Sequence, residues 1–427
     1  MFVALIILLL WLCVSALIYI IIRNKKITLS FRQIIIFFGC KIAGGEIYGY
    51  IFKRYYNGDD TWGLNHDAFL QYKRLLQSPL VFITDVFSSS PVPPDKAFYF
   101  HPLGYLENLE YSMVTKIMAL FNIISQGNYY INIVFFNFLG FWGLYFLYKL
   151  IAEQVQENSR PLAAAVIFLF PPALFWLSGI RAEGLLILFT GILLYQFNQW
   201  LKHRQTVSGL LCITSFGMDF ILRDGFAALL VPALLAWWLS IYYKTNVKKT
   251  FGIVYMVVLA LTAGSRFILP EKFNPLAVIA ARQQDFFTLK GNTRFHLTAL
   301  DNRPLSFIKV LPESLMNTFV RPFPWEAKGL LQWFAAMENI AVLILVALII
   351  FKYRNNGRQA FKNPVIGVLI LAGLFNYILI GYIVPFPGAI VRYKIIPELF
   401  LISTCLLCLP PGFDGKKNHF ITASVHI

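Results

Sequence analysis

The chain has 427 residues, of which 58% are hydrophobic, 17% aromatic and only 14% charged. This composition leaves too few polar side chains to cover a water-soluble globular domain, so it predicts an integral membrane protein. The formal net charge of +16 would suit nucleic acid in a soluble chain. Here the Lys and Arg residues stand in short clusters between apolar runs, where membrane lipids are the expected partner and nucleic acid is not.

Apolar runs of about 20 residues, the length that spans a bilayer as a helix, recur along the chain. They predict an all-α polytopic membrane protein with about eleven transmembrane helices, in which residues 1–427 form a single membrane domain. The first run lacks a basic start and a small-residue cleavage site, so we expect a spanning helix rather than a cleaved signal peptide. The predicted crossings are 2–22, 33–52, 129–151, 161–180, 184–201, 208–222, 226–243, 251–269, 331–351, 364–384 and 394–410.

Clusters of Lys and Arg predict the orientation of these helices. A basic cluster follows each odd-numbered crossing, and the positive-inside rule places that side in the cytoplasm. The N-terminus and every second loop then face outward. Two outward loops are long, the first at 53–128 and the second at 270–330.

The first large outer loop is predicted to carry interfacial helices. Apolar residues at Phe69, Tyr72, Leu75 and Leu76 follow a helical period, which predicts an amphipathic helix over 65–76. A proline-rich breaker at 91–94 and an aromatic, turn-rich segment at 98–105 follow it. The apolar helix predicted at 111–124 is short for a crossing, so we expect it to be interfacial or re-entrant.

Ionisable side chains gather near the outer face. The acidic members are Asp59, Asp60, Asp67, Glu183 and Asp224, and the basic members are Arg181, Arg223, Arg321, Arg392 and Lys394. Charges near membrane depth are costly and tend to face a cavity or each other. A carboxylate that takes a proton from a hydroxyl, beside cations that hold a departing phosphate, would use this combination.

Each of these groups has a simpler interpretation. Asp59 and Asp60 also suit a solvated turn or a helix N-cap. The charges at Arg181, Glu183, Arg392 and Lys394 also suit helix ends that anchor in the interface.

Three further charges lie inside apolar runs. Asp219 and Arg223 are spaced i,i+4, which favours a structural ion pair in the sixth crossing over a direct ligand role. Glu338 and Glu398 are expected to pair within the bundle.

Four places in the chain resemble bacterial membrane glycosyltransferases of the GT-C superfamily, which take sugars from polyprenyl-phosphate carriers. The resemblance lies in Gly58-Asp59-Asp60 with Tyr72, in 171–184, in 321–326 and in 392–397. It implies that Asp59 or Asp60 is the catalytic base and that the outer cations, with Glu183, bind the lipid phosphate and substrate.

The chain departs from that family at several points. Arg181 stands where Lys is common, Pro172 stands where Ser is common, and the first helix begins outside. Some relatives use a divalent metal, and this chain has no spaced ligand set that decides the question. The resemblance predicts a polyprenyl-phosphate-sugar donor, a glycan or lipid acceptor and the bacterial inner membrane. The alternatives are a lipid-linked polysaccharide polymerase or ligase, and a secondary transporter or flippase.

Overall fold

The computed structural model describes residues 2–84, 102–289, 291 and 293–410, and for residues 102–107 and 272 it describes the backbone alone. Within these ranges all regular structure is helical, so the predicted all-α fold is confirmed. The chain divides into two compact units, Met1–Ala227 and Ala228–Ile427, with the boundary inside one helix.

The first unit contains ten helices of the described residues and the start of an eleventh. They are α1 (Phe2–Ile22), α2 (Phe31–Tyr55), α3 (Asp59–Gln77), α4 (Pro79–Thr84), α5 (Pro102–Ser125), α6 (Tyr129–Ala152), α7 (Arg160–Leu169), α8 (Pro171–Trp176), α9 (Ala182–His203), α10 (Thr206–Leu222) and α11 (Asp224–Tyr242). The second unit contains the rest of α11 and the helices that follow. They are α12 (Val247–Gly264), α13 (Pro275–Thr288), α14 (Pro304–Phe319), α15 (Leu330–Lys352), α16 (Arg354–Ala360), α17 (Pro364–Ile383), α18 (Pro387–Tyr393) and α19 (Ile395–Leu407).

Eight helices of the described residues are long and apolar enough to cross a membrane, which indicates a multi-pass membrane protein. They are α1, α2, α6, α9, α11, α12, α15 and α17. Each corresponds to a predicted crossing. The predicted crossings at 208–222 and 394–410 correspond to α10 and α19, which at 17 and 13 residues are shorter than the usual span.

The predicted crossing at 161–180 is not one helix. It is divided into α7 and α8, and Phe170 between them has φ −59° and ψ 115°, outside the helical region. Pro171 and Pro172 occupy the first positions of α8. Proline has no amide hydrogen and disfavours a helical conformation in the residue before it, so α7 stops at Leu169.

The first large loop contains both helices predicted within it, with changed boundaries. The helix predicted over 65–76 is present as α3 and begins earlier, at Asp59. The helix predicted over 111–124 is present as α5, which begins at Pro102 and has 24 residues. The predicted turn-rich segment is therefore helical from Pro102 onward. Its residues 98–101 and the predicted breaker at 91–94 lie outside the described residues.

A buried amide network fixes the loop helices against α6. The Asn132 side chain donates to Asn65 Oδ1 and to Asn122 Oδ1, both at 2.8 Å. The Asn65 side chain in turn donates to the Gly127 carbonyl at 3.0 Å. Because polar groups need partners when buried, this network holds α3 and α5 in one arrangement at the start of α6.

In the second unit, α13 and α14 of the second large loop pack against α17. A hydrophobic cluster joins Leu276, Phe307 and Tyr382 from the three helices. The Gln283 side chain donates to the Tyr382 carbonyl at 2.7 Å. The second large loop is therefore an ordered part of this unit, because its helices share a hydrophobic core with α17.

Candidate functional site

The two candidate bases, Asp59 and Asp60, follow α2 after a tight turn. Three consecutive residues have positive φ, Asn57 at 52°, Gly58 at 93° and Asp59 at 45°. Glycine adopts this conformation freely, and Asn and Asp tolerate it better than most residues. The chain therefore reverses within a few residues and places Asp59 and Asp60 in the first turn of α3.

Arg181 lies at the centre of the site. It is the residue before α9, and its backbone is extended, with φ −156° and ψ 163°. Its Nη1 donates to Asp60 Oδ2 at 2.9 Å, and its Nη2 donates to Asp59 Oδ2. Its Nε donates to the Tyr48 hydroxyl at 2.5 Å. The planar fork of one guanidinium thus joins α2, α3 and the turn before α9.

The Arg181 side chain is only 5% exposed, whereas that of Asp59 is 36% exposed and that of Asp60 is 68% exposed. The guanidinium is therefore enclosed by protein, whereas both carboxylates are accessible to solvent. Asp60 is the carboxylate that a substrate reaches more easily.

Tyr48 is a site residue that the sequence analysis missed. Its buried ring stacks on Phe52 at 4.3 Å and contacts Trp176 edge-on at 6.0 Å. A Cβ atom at Gly179 would lie 2.4 Å from this ring, so only glycine lets the turn approach it. The one-turn spacing of Tyr48 and Phe52 near the outer end of α2 is the sequence signal that could have found it.

Two buried polar side chains hold the turn before Arg181. The Lys41 ammonium of α2 donates to the Leu177 carbonyl at 2.7 Å and to Ser178 Oγ at 3.2 Å. The Asn137 side chain of α6 donates to the Ser178 carbonyl at 2.9 Å. A lone lysine within an apolar run was the available signal for Lys41.

A second ion-pair cluster begins two residues after Arg181. The buried Glu183 carboxylate accepts a hydrogen bond from Arg223 Nη2 at 3.0 Å. The same nitrogen lies 3.9 Å from Glu110 Oε1 of α5. The structure therefore brings together two predicted site residues, Glu183 and Arg223, and adds Glu110, which the sequence analysis did not select.

Tyr111 connects α5 to the acidic end of α3. Its hydroxyl donates to Asp67 Oδ2. Burial is the largest cause of the raised pKa of Tyr111, and the hydrogen bond with Asp67 and the charge of Asp60 raise this pKa further. The phenol therefore stays a hydrogen-bond donor beside these carboxylates at neutral pH.

The predicted ion pair between Asp219 and Arg223 is wrong. Asp219 accepts instead from the Thr190 hydroxyl at 3.2 Å, and Arg223 pairs with Glu183. Helix α10 ends at Leu222, and Arg223 has φ −161° and ψ 82°. The i,i+4 spacing therefore no longer places the two side chains on one helix face.

The remaining predicted cations belong to the second unit. Arg321 pairs with Glu326 at 2.6 Å and lies 3.8 Å from the Phe295 ring centroid, and the hydrogen bond from Arg321 lowers the pKa of Glu326. The guanidinium of Arg392 lies 4.8 Å from the ring centroid of Tyr393.

Lys394 is buried and lies 3.2 Å from Glu338 and 3.7 Å from Glu398. This arrangement confirms that the two glutamates pair within the bundle. It also gives Lys394 charged partners in the protein itself.

The described residues contain no group of three or more His, Cys, Asp or Glu side chains placed to hold a metal ion. Comparison of the chain with protein-family models, with curated proteins and with solved structures finds no match.

Proposed function

We propose that the chain is a GT-C-type membrane glycosyltransferase. It transfers a sugar from a polyprenyl-phosphate-linked donor to a glycan or lipid acceptor of the cell envelope, at the outer face of a bacterial inner membrane. The proposal includes the topology of about eleven crossings, which is supported by the spacing of the basic clusters. Its chemical support comes from the resemblance and from the charged site of the first unit.

One observation carries the proposal, the exposed carboxylate of Asp60 held by the enclosed guanidinium of Arg181. A general base must reach its substrate and must also be fixed in place. Asp60 meets both needs, because its side chain is 68% exposed and bonded at 2.9 Å to a cation that is 5% exposed. We therefore assign the base to Asp60 and assign Asp59 and Arg181 to holding it.

In the proposed reaction the Asp60 carboxylate takes the proton of an acceptor hydroxyl. The hydroxyl oxygen forms a bond to the anomeric carbon of the donor sugar as the bond from that carbon to the phosphate oxygen breaks. The electron pair of the broken bond leaves with the phosphate, and the configuration at the sugar carbon is inverted. Cations near the leaving phosphate stabilise its developing charge.

Within the first unit we assign phosphate binding to Arg223. Its side chain is 30% exposed, whereas that of Arg181 is 5% exposed, and the acidic partners of Arg223 are Glu183 and Glu110 rather than the candidate base. A phosphate reaches Arg223 without displacing the candidate base. Phosphate binding by Arg321, Arg392 and Lys394 stays a prediction from sequence.

The test is sugar transfer by the purified protein, with membrane lipid extracts containing polyprenyl-phosphate sugars as donors. We expect Asp60→Asn to reduce transfer roughly 100-fold or more, the usual contribution of a general base. Asp285→Asn is the matched control, because it removes the same charge from an exposed position of α13 outside this site. Full activity of Asp60→Asn would contradict the assignment, and a ladder of products would indicate a polymerase.

A secondary transporter is the second candidate, and buried ionisable side chains inside the helices favour it. Lys41, Asp219 and Glu398 are all fully or almost fully buried. Such residues are frequent in ion and proton pathways. Proteoliposomes separate the two candidates, because a transporter moves its substrate across the bilayer unchanged and a transferase forms a covalent product.

A further inference from the structure

Three ionisable side chains meet in the second unit at the start of α19. Lys394 precedes this helix, Glu398 lies one turn further along it, and Glu338 comes from α15. The Lys394 ammonium lies 3.2 Å from Glu338 Oε1 and 3.7 Å from Glu398 Oε2, and it donates to Asn339 Oδ1. The side chains of Lys394, Glu338 and Glu398 are 2%, 12% and 0% exposed.

The charges in this cluster do not balance if both carboxyls are ionised. One ammonium then faces two carboxylates, which leaves a net charge of −1 out of water. The amide of Asn339, which accepts from Lys394, adds no charge to the cluster, and neither does the phenol of Tyr377 from α17. A buried net charge is strongly unfavourable, so the cluster is more stable with one added positive charge.

The carboxyl of Glu398 is the part of the cluster that lacks hydrogen-bond donors. No donor among the described residues bonds either oxygen of its buried carboxyl. The Lys394 ammonium, at 3.7 Å, is beyond hydrogen-bonding distance. Oxygens of both Glu338 and Glu398 lie within 3.7 Å of the same nitrogen, Lys394 Nζ. Two carboxyls form a hydrogen bond only when one of them carries a proton.

We propose that Glu338 and Glu398 form a proton-binding site, in which the two carboxyls share one proton and form a neutral cluster with Lys394. The ligand is a proton rather than a larger cation, because a single proton supplies both the missing hydrogen bond and the missing charge. This site does not depend on the glycosyltransferase proposal.

Infrared spectroscopy of the full-length protein in lipid tests the site. A protonated carboxyl has a C=O stretching band that an ionised carboxylate lacks, and deuterium exchange shifts it. At neutral pH we expect this band in the parent protein. We expect Glu338→Gln and Glu398→Gln each to weaken it, because each leaves a single glutamate paired with Lys394, and any band that remains belongs to other buried carboxyls such as Asp219. Glu313→Gln is the matched control, since that carboxylate accepts hydrogen bonds from Thr298 and should leave the band unchanged.

Lys394→Met gives an independent readout. Loss of the ammonium leaves the carboxyls without a counter-charge, so the band should stay or grow. A parent protein without the band, or a band whose intensity neither glutamine substitution lowers, would overturn the proposal. Thermal unfolding separates these results from misfolding, since Glu398→Gln keeps the shape of the neutral acid and should unfold at the parent temperature.

Discussion

Arg181 and Asp60 form a pair with unequal access to solvent, in which a guanidinium that is 5% exposed donates at 2.9 Å to a carboxylate that is 68% exposed. The two residues are 121 positions apart in the chain. A solvated turn would leave Asp60 free to rotate, whereas this bond fixes one of its oxygens. The bond therefore gives the acidic turn a defined geometry that a chemical role requires.

Arg181→Lys tests that geometry. A lysine keeps the charge, but its single ammonium cannot bond Asp59, Asp60 and Tyr48 in the fork geometry of arginine. We expect transfer activity to fall roughly 100-fold, the cost of a misplaced catalytic group. The same substitution at Arg160, which pairs with Glu157 at 2.8 Å, should leave activity unchanged. Equal activity of Arg181→Lys and the parent in the transfer assay would contradict the role of the fork.

Tyr48→Phe tests the third partner of the guanidinium. It removes the hydroxyl that accepts from Arg181 Nε and keeps the ring stacked on Phe52. An unsatisfied buried N–H costs about 1–3 kcal/mol, so we expect a lower unfolding temperature together with reduced transfer. Tyr145→Phe is the control, because it also loses one buried hydrogen bond, to the Ile27 carbonyl. If both variants lose stability but only Tyr48→Phe loses activity, the hydroxyl positions Arg181.

Gly179→Ala tests the close approach of the turn to Tyr48. The added methyl group would lie 2.4 Å from the ring and must displace it. Overpacking of this kind costs about 1–3 kcal/mol, and the displaced Tyr48 should release Arg181. Gly217→Ala in α10 is the control, because among the described residues no atom outside the neighbouring backbone of its own helix lies within 4 Å of the new Cβ. Thermal unfolding should show destabilisation of the first variant alone.

The pair of Arg321 and Glu326 predicts a pH dependence of stability. The hydrogen bond from Arg321 is the main cause of the lowered pKa of Glu326, whose ordinary value is 4.5. A carboxyl with a lowered folded-state pKa stabilises the protein above its unfolded pKa and loses that contribution as the pH falls through the folded value. Stability should therefore decline below about pH 4.5.

Glu326→Gln should remove this part of the decline. The measurement is the unfolding temperature of parent and variant across acidic pH, and the difference between the two curves isolates Glu326 from other carboxyls. A difference that stays constant from neutral to strongly acidic pH would show that the pair does not contribute.

Much of the fold could be predicted from sequence because hydrophobic length is a local property. The runs at 2–22 and 364–384 became α1 and α17 with nearly the predicted bounds. The break at Phe170 was missed because the apolar composition continues across Pro171 and Pro172, although their backbone chemistry does not permit a continuous helix.

Less of the site could be predicted. The sequence predicted that Asp59, Asp60 and Arg181 lie on the same side of the membrane. Lying on the same side does not determine which of these side chains contact each other. Their pairing depends on how α2, α3 and the turn before α9 pack, and that packing joins residues more than one hundred positions apart. Arg223 illustrates a different difficulty. The i,i+4 spacing favoured a pair with Asp219, but Arg223 lies just after the end of α10 in a non-helical conformation, so the pair does not form.

The short distance along the chain between Arg181 and Glu183 has a consequence for how this site tolerates insertions. Arg181 bonds α2 and α3, while Glu183, in the first turn of α9, bonds Arg223 after α10. One residue inserted between them would lengthen the extended segment that joins Arg181 to α9 and would shift the two side chains relative to each other. The two clusters therefore depend on the two-residue spacing between Arg181 and Glu183, whatever side chains make up the turn before them.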